Sequence, residues 1–311
     1  MSELKATRAA YGETLVELLE AGVDVYAVDA DLAGSTTTAK LAAADPRRHV
    51  NVGIAEANMI GVAAGISLTG ATVFTGSFAV FGTGRAYDQI RNTVCYGNLN
   101  VKVAPTHAGI SVGPDGGSHQ MVEDIALMRV LPNMRVLVPA DYISAKAALR
   151  IAAATAGPVY VRLGRANVPL LYEASELEDF ALGQARVLRQ GSDVSIIACG
   201  VEVALALQAA ELLAERGIRA EVIDAFSLKP LDEQLILESA ARTGFVITAE
   251  EHSVIGGLGS AVAEVLAAHP GLVERCERIG VQDRFGTSGG FDELFREYRL
   301  DAQAIFELVV Q

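Results

Sequence analysis

Short apolar runs alternate with longer stretches of helical period along the whole chain. The N-terminal MSELKATRAAYGETLVELLEAG reads as an amphipathic helix, and VDVYAVDADL as a strand running into a loop. The pattern then predicts a helix over 56–68, a strand at TVFTGSF and a helix at RAYDQIRNTVCYG. NVKVAPTH reads as a strand entering a glycine-rich loop, MVEDIALMRVLP as a helix and MRVLVPA as a strand. A helix over 142–154 and a strand at PVYVRLG complete this half. Strand–helix alternation with apolar strands predicts an α/β protein whose parallel sheets are covered on both faces. Between 165 and 183 the period lapses into RANVPLLYEASELEDFALG, with several acids and a proline, as an interdomain linker would. The alternation restarts with DVSIIACG, RAEVIDAF, GFVITAEE and RIGVQD. The expected organisation is two parallel-sheet domains, 1–165 and 185–311, joined by a linker at 166–184.

Composition narrows the function. The chain has 311 residues, enough for two cores, with 51% hydrophobic and 20% charged residues. A net charge of −13 argues against a general nucleic-acid surface, so contacts to an anionic ligand must be local. Cys95, Cys199 and Cys276 are far apart and lack CxxC spacing, which argues against a disulfide framework or a zinc site. The N-terminus does not have signal-peptide character. The apolar stretch MIGVAAGISLTGATVF is rich in Gly and Ala and broken by Ser and Thr, unlike a membrane span. A cytoplasmic protein is expected.

Two stretches carry chemistry. VGIAEANM (52–59) sets one carboxylate, Glu56, in small apolar surroundings, where an acid needs a partner. Taken alone, Glu56 could be a first-turn acid favoured by the helix dipole. PTHAGISVGPDGGSHQMVED (105–124) follows a strand, as active-site loops do in open parallel sheets. It holds two of the five histidines, His107 and His119, with Asp115 between them and four glycines. The residue types favour a functional loop over a solvated one; a metal site is the weaker alternative, because no familiar ligand spacing is present.

The loop closely resembles the TH…G…DG…HQ segment of transketolases, and GIAEANM resembles their cofactor-activating glutamate segment. SFAVF (77–81), KATR, DADLAGS, RLGRANVP, LKPLDEQLI and EEHSVIGGLGSAVAE extend the resemblance over nearly the whole chain. The chain thus resembles the pyrimidine-binding domain plus the C-terminal domain of a thiamine diphosphate enzyme. Family members hold the diphosphate and its metal with a GDG motif in a separate N-terminal domain, and no GDG occurs here. The resemblance therefore implies the C-terminal subunit of a split transketolase. A GDG-bearing partner would bring the diphosphate and Mg²⁺ ligands into a heterotetramer with two copies of each chain; no metal ligand is expected on this one.

The resemblance also implies roles. Glu56 would hydrogen-bond N1′ of the aminopyrimidine, so its partner would be a ring nitrogen rather than a protein cation. Sharing a proton there promotes deprotonation of the thiazolium carbon; the cofactor supplies carbanion chemistry and the protein supplies proton control. Phe78 and Phe81 would surround the pyrimidine, with Phe81 the stacker, and Asp31 and Leu32 would line the thiazolium side. Arg8, Ser35, His107 and Arg165 match the sugar-phosphate set, Asp115 the reader of hydroxyl stereochemistry, and His119 the histidine beside the reacting carbonyl. Catalysis would fall to Glu56, His119 and His107. The expected reaction moves a two-carbon ketol unit from a ketose phosphate to an aldose phosphate. Ala55 and Ala57 flank the glutamate where long-chain transketolases carry Arg and His, and Gly84 stands where Tyr is common. Ala55 and Ala57 resemble the deoxyxylulose phosphate synthases, which share RAYDQ, and the β subunits of 2-oxoacid dehydrogenases; halves of those enzymes are the alternatives. A non-catalytic assembly paralogue is disfavoured by Glu56. In the C-terminal half, His252 is expected in a loop before a glycine-rich helix start that could receive an anion, within a domain read as structural.

Overall fold

The computed structural model describes residues 3–311. Two large sheets form the framework, as the alternating pattern predicts. The first has seven strands in the order Ser227–Lys229, Arg135–Leu137, Val159–Val161, Val101–Val103, Thr72–Gly76, Val25–Asp29 and His49–Asn51. All its pairings are parallel except that of Ser227–Lys229, which runs antiparallel at the edge. The second has five strands: Arg275–Val281, Phe245–Ser253, Val194–Ala198, Ala220–Asp224 and Arg186–Arg189, the last antiparallel. The central strands are buried along their whole length, because helices cover both faces of a parallel sheet.

Local chemistry sets the helix ends. Asp141 and Ser144 form a reciprocal capping box that starts Tyr142–Ala154. Asp232 caps Glu233–Thr243, which Gly244 stops at φ 66°. Among the described residues no helix is long and apolar enough to cross a membrane.

Two expectations needed correction. The start of the predicted N-terminal helix, Leu4–Ala6, is a strand, and the helix begins at Ala9. That strand pairs antiparallel with Asn167–Pro169, so the opening of the predicted linker is ordered by pairing. Further on, Ala174–Asp179 forms a short helical turn. Propensity gave no sign of this, since a three-residue pairing at long separation leaves no periodic signature. The second correction concerns His252. It lies within the strand Phe245–Ser253, fully buried, with Nε2 accepting from the Ala126 N–H. The helix start it precedes, Leu258–Ala267, is already filled by the chain's own Glu250, which accepts from the Leu258 and Gly259 N–H groups at 2.7 and 2.8 Å.

The two halves share a core. Met128, Leu131 and Val136 belong to one apolar cluster with Ile197, Ile236, Leu258 and Val262. A buried ion pair reinforces it. Arg162 holds Asp124 through Nε at 2.7 Å and Nη2 at 3.2 Å, and donates to the Glu251 carbonyl at 2.9 Å. Asp124 is held below the usual carboxylate range by Arg162 despite burial, which pushes the other way. Removing either partner would strand a buried charge, at about 3–5 kcal/mol.

Candidate active site

All the candidate side chains but Arg8 leave the carboxyl end of a parallel strand in the first sheet or the loop beyond it. Five neighbouring strands deliver them: His49–Asn51 leads to Glu56, Val25–Asp29 to Asp31, Leu32 and Ser35, and Thr72–Gly76 to Phe78 and Phe81. Val101–Val103 leads to His107, Asp115 and His119, and Val159–Val161 to Arg165. Ligands of open α/β sheets bind at this edge. Arg8 arrives from the turn before Ala9–Glu20.

Glu56 opens the helix Glu56–Ser67 and is 2% exposed. Its protein partner is Arg85, whose Nη1 donates to Oε2 at 2.9 Å. A protein cation therefore does hold this carboxylate, contrary to the expectation. The segment Val80–Arg85 is helical, with wide π-type turns, and residues four apart on a helix share a face. Arg85 thus stands over Phe81, 4.7 Å from the ring centroid. Phe81 stacks loosely on Phe78 at 6.3 Å and meets His119 edge-on at 5.4 Å. Phe78 stacks on His107 at 3.8 Å, because a backbone bridge staples Phe78 to Thr106.

His107 adopts φ 60°, a strained conformation for a residue with a Cβ. Its Nδ1 lies 2.7 Å from Thr106 Oγ1 and its Nε2 3.5 Å from Arg8 Nη1. An arginine can only donate, so Nε2 accepts and Nδ1 carries the proton. Burial, then the charges of Arg8 and Arg165, push the His107 pKa down to about 3. The Arg8 guanidinium is itself lowered, by burial first and by Arg165 second, and it donates to the Ser35 carbonyl at 2.9 Å. Arg165 Nη1 donates to the Val112 carbonyl at 2.6 Å and to Asp115 at 3.2 Å. Arg8, Arg165 and Asn167 line one opening with Ser111, Pro114 and Phe291.

One series of contacts thus runs from Glu56 through Arg85, Phe81, Phe78 and His107 to Arg8, with His119 beside it. Asp31 and Leu32 stay outside that series. Asp31, at φ 65°, pairs with Asn51, and the Leu32 N–H donates to Asp29 at 2.6 Å. Asp29 is buried and also accepts from Thr36 and Thr38. Of Ser35, it is the backbone carbonyl that takes part. Sequence reasoning missed Arg85 and Gln120. The first was visible as a cation four residues after an aromatic, the second only as part of HQ.

Comparison with known proteins follows the same lines. Residues 3–169 match the transketolase pyrimidine-binding domain and residues 183–305 the transketolase C-terminal domain. The chain belongs to the transketolase family. It is 49% identical over 307 residues to a Methanocaldococcus jannaschii protein described as a transketolase C-terminal section, covering 99% of this chain and 96% of that one. The 6-deoxy-6-sulfo-D-fructose transketolase subunit of Clostridium sp. is 44% identical over 298 residues, covering 96% of this chain and 91% of that protein. Among solved structures, a split-gene transketolase in the form of an inactive β4 tetramer superposes with a TM-score of 0.88 at 48% identity, covering 98% and 97% of the two chains.

This transketolase-family site suits the thiamine half of the family's cofactor. Beside the aromatic pair lies Ser77, whose buried Oγ has no partner among the described residues. Glu56 engages Arg85 through Oε2, and its other oxygen would be available to a ring nitrogen. No group of metal-binding side chains occurs among the described residues.

Proposed function

We propose that this chain is the C-terminal half of a two-subunit transketolase, transferring a two-carbon ketol unit from a ketose phosphate to an aldose phosphate. The observation that carries the reading is the convergence of Arg8 and Arg165 at one opening, in contact through His107 and Phe78 with the Glu56 pocket. Two like-charged guanidiniums near each other are stabilised by an anion between them, and a planar fork suits a phosphate dianion.

Thiamine diphosphate, when bound, supplies the nucleophilic carbon that takes up the ketol unit. The chain's residues do the rest. Glu56 holds a proton against the pyrimidine nitrogen, and Phe81 and Phe78 offer the ring an apolar face. Arg8 and Arg165 take the phosphate, with neutral His107 as a hydrogen-bond partner beside them. His119 has Nδ1 engaged by Ser118 Oγ at 3.0 Å, so Nε2 exchanges the proton with a substrate oxygen. Asp115, fixed by Arg165, reads a hydroxyl.

The diphosphate and Mg²⁺ belong to an N-terminal partner subunit, and the working assembly is a heterotetramer with two copies of each chain. Relatives of matching length, one described as a C-terminal section and one as a split-gene product, support this division. A sulfonate-ended ketose is a second reading of the same anion site, favoured by the likeness to a sulfofructose transketolase subunit. The test is reconstitution. The chain mixed with its GDG-bearing partner, Mg²⁺ and cofactor should transfer ketol units between sugar phosphates in a coupled assay. Neither activity nor micromolar cofactor binding is expected from the chain alone, and finding both would overturn the division of labour. Transfer from a sulfonate-ended donor in preference to phosphates would favour the second reading.

A further inference from the structure

The segment 284–290, RFGTSGG, comes from the C-terminal half and lies directly on the glycine-rich loop that carries Asp115 and His119. The buried Gln120 is the joint: its Nε2 donates to the Thr287 carbonyl at 2.9 Å, and to the loop's own Ile110 and Gly113 carbonyls at 3.1 and 3.4 Å. One amide thus ties both ends of the loop to a strand-to-helix connection more than 160 residues away. The fit is close enough to demand glycines on both sides. A Cβ on Gly286 would run into the Gln120 side chain, and one on Gly117 into the Gly286 carbonyl. Gly116, at φ 76°, faces Ser288 in the same way. At the other end of the loop, the Glu251 carboxylate accepts from the Ser111 N–H. The turn itself is short: the His119 and Gln120 N–H groups both point at the Gly116 carbonyl, at 2.9 and 3.2 Å. Gln120 neighbours His119, so whatever fixes one fixes the other's backbone.

We propose that the segment 284–290 is a positioning element of the active site, holding the Gly116–Gln120 turn, and with it His119, through Gln120. This rests on the role given above to His119. It assigns the C-terminal half a part in the chemistry beyond assembly: the half supplies no reacting group but fixes where one stands. A histidine that must meet a reacting oxygen within hydrogen-bond reach gains from a rigid turn, since small misplacements are costly in rate.

The experiment uses Gly286→Ala, Gln120→Ala and the double variant. Amide exchange is measured on the chain, and steady-state kinetics on the complex with the partner subunit and cofactor. Each single variant should speed exchange at residues 116–120 about tenfold while the sheet strands keep their protection. Each should lower kcat about tenfold, with KM for the sugar phosphate within about twofold, because Arg8 and Arg165 are untouched. The double variant should be no worse than the poorer single. If Gly286→Ala does not fold, Gln120→Ala alone carries the test. Wild-type exchange and kcat in Gln120→Ala, uniform loss of protection across its strands, or additive losses in the double variant would overturn the proposal. A wild-type complex without ketol transfer would instead remove the functional reading, and the exchange measurement would still decide the positioning.

Discussion

Arg85 donates to Glu56 at 2.9 Å while its guanidinium lies 4.7 Å from the centroid of Phe81. This buried acid is thus held by a side chain that is itself half exposed. The two should be energetically coupled in the chain alone. Arg85→Ala leaves a buried carboxylate with one partner fewer, and half-exposure of the arginine keeps the cost to about 1 kcal/mol. In a Glu56→Gln background the same substitution should cost measurably less. Thermal unfolding of the four chains checks this, and equal costs in both backgrounds would show that the contact contributes nothing.

Glu56→Gln should abolish ketol transfer in the reconstituted complex, a loss of at least about 100-fold, while assembly survives. The amide is nearly isosteric and still accepts from Arg85, yet it cannot share a proton with a ring nitrogen. A coupled assay at saturating cofactor decides it: activity within a few-fold of wild type would remove Glu56 from its proposed role.

Much of this site is legible in the residues themselves. PTHAGISVGPDGGSHQMVED points to a candidate functional loop because titratable side chains and glycines gather after an apolar strand, and strand order then delivers the loop to the Glu56 pocket. What stayed hidden depends on contacts across long separations. Arg85 looks like an ordinary helix-surface cation over Phe81 until the fold brings Glu56, 29 residues earlier, against it. Leu4–Ala6 is a strand because Asn167–Pro169 lies beside it. His252 precedes a glycine-rich helix start, but whether that start is open depends on Glu250, two residues earlier, folding back onto it. Periodicity speaks for local structure and is silent on each of these.

Arg165→Ala should raise KM for phosphorylated sugars far more than for an unphosphorylated donor such as hydroxypyruvate. A lost charge-assisted contact is worth about 1.5–3 kcal/mol, roughly tenfold or more in KM. Arg165 also holds Asp115 at 3.2 Å, so a smaller loss of discrimination between hydroxyl epimers should accompany it. Equal effects on both donors would show that Arg165 does not read phosphate.

His107 gives the site a pH signature in the ligand-free chain. Burial and the neighbouring charges of Arg8, Arg165 and His119 hold its folded pKa down to about 3, against an ordinary histidine value of about 6.5 in the unfolded chain. Between those values the unfolded state binds more protons than the folded one, so stability rises with pH across the window. Lowering the pH from about 6.5 toward 3 therefore removes stability, and below 3 this contribution is flat. Asp224 and Glu251, whose buried carboxyls are pushed up to about 7, act in the opposite sense over much of the same range. A single melting curve would mix these effects, so the informative quantity is a difference. Asn is the replacement of choice at position 107, because it tolerates the φ of 60° there and does not titrate. Wild type should lose more Tm than His107→Asn between pH 7 and pH 4, while Asp224 and Glu251 contribute equally to both and cancel. Parallel curves for the two proteins would mean that His107 takes up a proton in the fold as readily as in the unfolded chain. The neutral imidazole between Arg8 and Phe78 would then have to be given up.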